Sequence, residues 1–139
     1  MIILDTDVVS AVMKQEPDNA VAAWLNNQPR LSIWTTSITV MEIRFGLQIL
    51  AAGEKRSQLM QALEILLAEK IAERIAPFDA IAAEHTADLM ASRYIKGRPT
   101  ELRDTMIAGI AIANHATIAT RNTPHFRDLE VPVINPWSP

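Results

Sequence analysis

Apolar residues along the chain alternate between short continuous runs and stripes at helical spacing. Ile2-Ile3-Leu4 is an apolar run too short for a helix and reads as a buried parallel strand. The pattern then predicts a helix over Thr6 to Met13, with Thr6 or Asp7 as its cap. Pro17 opens a second helix in its first turn, where a missing N–H costs nothing, and Asn27-Gln28-Pro29 ends it. Leu31 to Thr35 is β-rich and predicts the second strand. Ser37 begins a long helix in which Ile38, Met41, Phe45 and Ile49 recur at helical spacing. Gly53 breaks it, and a further helix runs from Glu54 to about Lys70 with Leu59, Leu63, Leu66 and Leu67 as its stripe. These two helices form a hairpin. Arg74 to Pro77 is a short extended piece, and Asp79 to Tyr94 is helical with Ile81, His85, Leu89 and Met90 facing inward. Lys96-Gly97-Arg98-Pro99 is a loop, and Asp104 to Asn114 is an apolar, central helix. Thr117 to Thr120 and Val131 to Ile134 are the remaining strands, with a turn at Arg121-Asn122-Thr123-Pro124. Strands alternating with helices predict a three-layer α/β/α domain: a short, mostly parallel central sheet and a helical hairpin. No repeat, biased segment or linker interrupts residues 1–139, which read as a single domain.

Composition narrows the chemistry. A chain of 139 residues with 49% hydrophobic positions can bury roughly 68% of its unfolded surface and needs no staples. Cysteine is absent, which excludes disulfides, thiolate metal sites and a cysteine nucleophile. The formal charge of −3 gives no strong overall field toward nucleic acid or anionic lipid. The N-terminal apolar run meets Asp5 and Asp7 after four residues, unlike a signal peptide. The longest uncharged window, Thr105 to Thr120, is shorter than the roughly 20 residues of a spanning helix. The expectation is a soluble, cytoplasmic protein with no membrane partner.

Sites in open parallel sheets form beyond the carboxyl ends of the strands. Asp5 stands at one such end and Asp7 follows it; Glu42 lies in the second turn of the helix after the second strand. Asp104 opens the apolar helix, and Asn122 follows the strand after it. No Gly-rich phosphate loop is present among the four glycines. Carboxylates drawn together repel by roughly 4 kcal/mol at about 4 Å and an effective dielectric of about 20. Such a cluster takes up protons or holds cations, and oxygen ligands without His or Cys suit Mg²⁺ or Mn²⁺. An ion there can lower the pKa of a bound water and neutralise a phosphodiester during in-line displacement. Each residue also has a structural reading. Asp5, Thr6 or Asp7 fits a helix cap, Thr39 to Glu42 matches the T-x-x-E capping box, Asp104 fits a cap, and Asn122 fits a turn.

Five ordered blocks bear on that choice. Ile3-Leu4-Asp5-Thr6-Asp7-Val8-Val9-Ser10 resembles the opening of PIN-domain ribonucleases. Thr36-Ser37-Ile38-Thr39-Val40-Met41-Glu42-Ile43-Arg44-Phe45-Gly46 resembles their S-x-x-(T/V)-x-x-E-(I/L)-x-x-G helix, and Asp104 with Met106-Ile107-Ala108 their D-x-x-I-A helix. Ala119-Thr120-Arg121-Asn122-Thr123 with Phe126 resembles their TRN segment, and Asn135-Pro136-Trp137 the NPW ending of FitB-like members. The resemblance implies a VapC/FitB-type toxin of a toxin–antitoxin pair. It implies Asp5, Glu42 and Asp104 as metal-binding residues and RNA cleavage by a metal-activated water. It also implies a homodimer, and a small DNA-binding antitoxin through which alone the toxin meets DNA. Two positions depart from the pattern: Asp7 where the motif has Asn, and Asn122 in place of a fourth acidic residue, with His125 nearby. Asp7 then reads as a supporting ligand, and Asn122 as a group that holds water without adding charge. The second reading is a catalytically weak scaffold that only binds an antitoxin in an autorepressing DNA-bound complex. A phosphate-accepting receiver ranks last, because no lysine follows Lys96.

Local cations supply candidate RNA contacts. Arg98 and Arg103 precede Asp104, and Arg121 precedes Asn122; Arg44 shares the helix of Glu42 and suits phosphate or an antitoxin carboxylate. Their structural readings are solvated helix ends and, for Arg44, an internal ion pair. The hairpin from Ser37 to Lys70 carries more apolar surface than a small sheet needs, which suggests dimer or antitoxin contacts.

Overall fold

The computed structural model describes residues 1–139. Five strands build one sheet: β1 (Ile2–Leu4), β2 (Ile33–Thr36), β3 (Ile75–Ala76), β4 (Thr117–Ala119) and β5 (Val133–Ile134). Their spatial order is β3-β2-β1-β4-β5, and every neighbouring pair is parallel. The helices are α1 (Thr6–Met13), α2 (Asn19–Asn26), α3 (Ser37–Ile49), α4 (Glu54–Ile65), α5 (Ala80–Ile95) and α6 (Leu102–Ala113). A π-helical turn at Leu66–Lys70 extends α4, and single 3₁₀ turns span Arg30–Ser32 and Thr123–Phe126. No helix is long and apolar enough to cross a membrane.

β1 lies at the centre because it is apolar on both faces. Leu4 packs into one layer with Val8 and Val9 of α1, Val21 and Leu25 of α2, and Leu63 of α4. Ile3, one residue earlier, points into the other layer with Ile107 and Ile110 of α6, Leu89 of α5 and Ile118 of β4. The period-two alternation of a strand thus divides the core into two halves. The expected three-layer architecture is present, as is the leucine stripe of α4, in which Leu63 and Leu67 are buried.

Several expectations are corrected. On α3 the predicted inner residues Met41, Phe45 and Ile49 are 49%, 58% and 69% exposed, while Ile38, Thr39, Ile43 and Leu47 are buried. α3 is apolar on two faces, so spacing alone cannot set its rotation. Polar contacts set it: Thr36 Oγ1 accepts from Thr39 N at 3.1 Å, and the Thr39 hydroxyl meets that of Thr6 at 3.1 Å. Thr36 is therefore the N-cap, and the Thr39–Glu42 spacing is not a capping box. On α5, Ile81 and Met90 face outward and Ala82, Thr86, Leu89 and Arg93 face inward. The small side chains face inward because α6 crosses closely at Gly109, where an added Cβ would stand 1.9 Å from Thr86 Oγ1. α2 begins at Asn19 with Asp18 as cap, so Pro17 precedes the helix. Leu31 lies in a 3₁₀ turn before β2.

Arg93 ties three segments together. Its side chain is 3% exposed and pairs with Asp128 at 2.8 Å. The guanidinium also donates to Thr105 Oγ1 at 3.0 Å, to Thr100, and to the His125 carbonyl at 2.8 Å. Hydrogen bonding to Arg93 holds the Asp128 carboxyl below its ordinary range. This fork locks α5 to the start of α6 and to the turn after β4, a geometry that a lysine cannot reproduce.

Candidate active site

β1, β2 and β4 end at one edge, and the chain turns there into α1, α3 and the 3₁₀ turn. Asp5 leaves β1 with its N–H bonded to the Ala119 carbonyl at 2.9 Å and caps α1, its Oδ1 accepting from Thr6 N at 2.8 Å. Asp5 Oδ2 accepts from the buried Thr120 hydroxyl at 2.7 Å. Asp7 faces the same hydroxyl at 3.4 Å and accepts from Arg121 N at 2.9 Å through Oδ2. Capping and site geometry thus coexist in Asp5.

Two further walls complete the edge. Glu42 Oε1 accepts from the Thr6 hydroxyl at 2.8 Å, and Arg103 approaches Glu42 Oε2 at 3.7 Å. Asp104 sits in the first turn of α6, but Glu101 is the cap, its carboxylate accepting from Asp104 N at 3.1 Å. Asp104 therefore has no capping duty, and its Oδ2 lies 2.8 Å from His125 Nδ1. Asn122 is held through its backbone: its N–H donates to Thr120 Oγ1 at 3.0 Å, and its carbonyl accepts from His125 N at 3.0 Å.

The electrostatics are those of an undercompensated acidic pocket. Burial, then the neighbouring Asp7 charge, push the Asp5 carboxyl up to about 7, and Asp104 adds to the repulsion. Burial likewise raises Asp7. Asp7 Oδ1 is buried without a hydrogen-bond partner. A buried acceptor in that state is costly unless a proton or cation meets it. As the side chains stand, no three carboxylate or imidazole groups converge closely enough to ligate one ion. The donor set nevertheless fits a hard divalent cation, because the orphaned Asp7 oxygen and the raised Asp5 carboxyl both call for positive charge.

The predicted arginines divide. Arg103 reaches the site through Glu42. Arg121 borders it through its backbone, while its guanidinium stacks 4.9 Å from the centre of the Trp137 ring. Arg44 does not face the site in this structure but pairs with Glu64 at 2.8 Å on the exposed side of the hairpin. Arg98 is exposed and lies in the loop before α6. The sequence reading missed Thr6 and Thr120, whose hydroxyls hold Glu42, Asp5 and Asp7. Their only signal was position: Thr6 lies between Asp5 and Asp7 just past β1, and Thr120 directly follows β4.

The PIN domain profile matches residues 2–131. The chain belongs to the PIN-domain family. This PIN domain is 40% identical to the VapC ribonuclease Y4jK of Sinorhizobium fredii over 139 residues, which is 100% of this chain and 99% of the relative. It is 35% identical to Toxin FitB of Neisseria gonorrhoeae, with 99% of each chain covered. Among solved structures, FitAB bound to an IR36 DNA fragment superposes with a TM-score of 0.89 at 34% identity, covering 100% of this chain and 97% of that one.

Proposed function

We propose that this PIN domain is a divalent-metal-dependent endoribonuclease and the toxin of a toxin–antitoxin pair. The carrying observation is the buried Asp5 beside the half-buried Asp7 at the sheet edge, with one buried Asp7 carboxylate oxygen unpartnered and Asp5 driven toward neutrality. Relatives bearing the names VapC ribonuclease and Toxin FitB support the activity class. Asp5, Glu42 and Asp104 would hold the ion, Mg²⁺ or Mn²⁺, with Asp7 in support. When bound, that ion supplies a Lewis acid and lowers the pKa of an attacking water. Thr6 and Thr120 fix the carboxylates. Asn122 offers an amide that orients water without adding charge. Arg103 and Arg121 stand where the backbone of a structured RNA would pass, with Arg98 on its approach.

An antitoxin is the proposed protein partner, since the relative FitB is solved as FitAB on DNA. This chain would meet DNA only through it. A groove of about 1100 Å³ between the end of α1, α2 and α4 offers apolar walls at Val12, Leu25, Leu59 and Ile65 for an antitoxin segment. Met41, Phe45 and Ile49 leave an apolar stripe on α3 that suits a homodimer contact. Phe45→Asp is expected to lower the mass seen by light scattering from dimer to monomer; an unchanged mass removes α3 from the interface.

The scaffold alternative is favoured by one observation, the uncharged Asn122. Cleavage of total cellular RNA by the purified, antitoxin-free chain decides between the two. Discrete fragments that vanish with chelator and with Asp104→Ala support the nuclease. A folded chain inert with both Mg²⁺ and Mn²⁺ supports the scaffold.

A further inference from the structure

We propose that His125 is a positioning residue for Asp104, fixing that carboxylate so that its second oxygen is presented to the ion. The inference rests on the reading of Asp104 as a metal ligand and assigns a role to a residue outside that ligand set.

His125 Nδ1, 2.8 Å from Asp104 Oδ2, is the only hydrogen-bonding group on the Asp104 side chain. An ionised carboxylate only accepts, so Nδ1 carries the proton and donates. A protonated Nδ1 has no lone pair for a metal, so this nitrogen orients the ligand rather than binding the ion. Oδ1 of Asp104 is left without a protein partner, which is what a ligating oxygen requires.

The backbone that carries the imidazole is itself held. The His125 N–H donates to the Asn122 carbonyl at 3.0 Å. The His125 carbonyl accepts from the buried Arg93 at 2.8 Å. Phe126, the next residue, is 1% exposed and anchored in the core. From the other side, Glu101 fixes the Asp104 backbone. Both ends of the Asp104–His125 link therefore stand on rigid supports, although the two side chains are 20% and 46% exposed. Partners that orient metal ligands typically change affinity about 10–100-fold. This bond is partly exposed, so the low end, about 10-fold, is expected.

The test is a Mn²⁺ titration of the whole purified chain followed by electron paramagnetic resonance. Wild type, Asp104→Ala, His125→Ala and His125→Gln are compared, with circular dichroism confirming the fold. His125→Ala is expected to weaken Mn²⁺ binding about 10-fold, and His125→Gln, which keeps a donor, to recover part of the loss. Pulsed spectra of bound Mn²⁺ should show no nitrogen coupling that disappears with His125→Ala. Wild-type affinity in His125→Ala, with binding lost in Asp104→Ala, overturns the positioning role alone. Wild-type affinity in Asp104→Ala overturns the metal reading of Asp104 itself. A nitrogen coupling that His125→Ala removes overturns the proposal by making His125 a direct ligand.

Discussion

Asp5→Asn is expected to abolish the proposed RNA cleavage and to make the metal-free protein more stable above neutral pH. The two effects have one cause. The Asp5 carboxyl ordinarily ionises at 3.8, but burial and the Asp7 charge push it up to about 7 in the folded chain. Below about pH 4 it is neutral in both states and burdens neither. Between about 4 and 7 the unfolded chain releases the proton and the folded chain keeps it, so stability falls as pH rises. By about pH 8 the loss is complete, and a difference of about three pH units corresponds to roughly 4 kcal/mol. The neutral amide of Asn removes that dependence, and it also removes the charge that an ion needs. Urea unfolding at pH 5 and pH 8 in chelator measures the difference. Wild type should lose stability between the two, and Asp5→Asn should lose far less. Divalent ion at pH 8 should restore wild type only, because the cation then takes the place of the proton. Equal pH dependence in both proteins would remove Asp5 as the source.

Gly109→Ala is expected to destabilise the fold by about 3 kcal/mol, although alanine favours helices over glycine by about 1 kcal/mol. The helix interior gains from the substitution, and the crossing loses more. The new methyl would meet Thr86 Oγ1 at 1.9 Å and the Ala82 carbonyl at 2.8 Å. The Thr86 hydroxyl already donates to that carbonyl at 2.7 Å, so turning away breaks that bond. Thr86→Ala should rescue Gly109→Ala only in part, since the carbonyl is backbone and stays. Thermal melts of the two single variants and the double variant check this. A stabilised Gly109→Ala would mean that α5 and α6 slide apart at little cost.

Strand β1 and the position of Asp5 could be read directly, because a three-residue apolar run ending in aspartate admits few other placements in an α/β chain. Asp104 could be read as a candidate ligand as well, beside a competing reading as a helix cap; only the structure shows Glu101 in the capping role. The rotations of α3 and α5 could not be read. Phe45 and Ile43 are both apolar, and the choice between them is made by threonine hydroxyls on α1 and α3. On α5 the close crossing at Gly109 selects Ala82 and Thr86 over the more hydrophobic Ile81 and Met90. The contacts of Thr6 and Thr120 were hidden for a similar reason: each hydroxyl serves a carboxylate brought to it by tertiary structure, across 36 and 115 positions of chain.

That last separation governs when the pocket can exist. A chain emerging from the ribosome at about 5–20 residues per second needs on the order of ten seconds between Asp5 and Thr120. In that interval β1 gains β2 as a neighbour but has no β4, and the two N-terminal aspartates have neither the hydroxyl nor the backbone N–H that later hold them. A chain stalled short of Thr120 therefore lacks the groups that hold Asp5 and Asp7, however well its first half has collapsed. The pocket is therefore assembled late, once Thr120 and Arg121 have been made and β4 has joined β1.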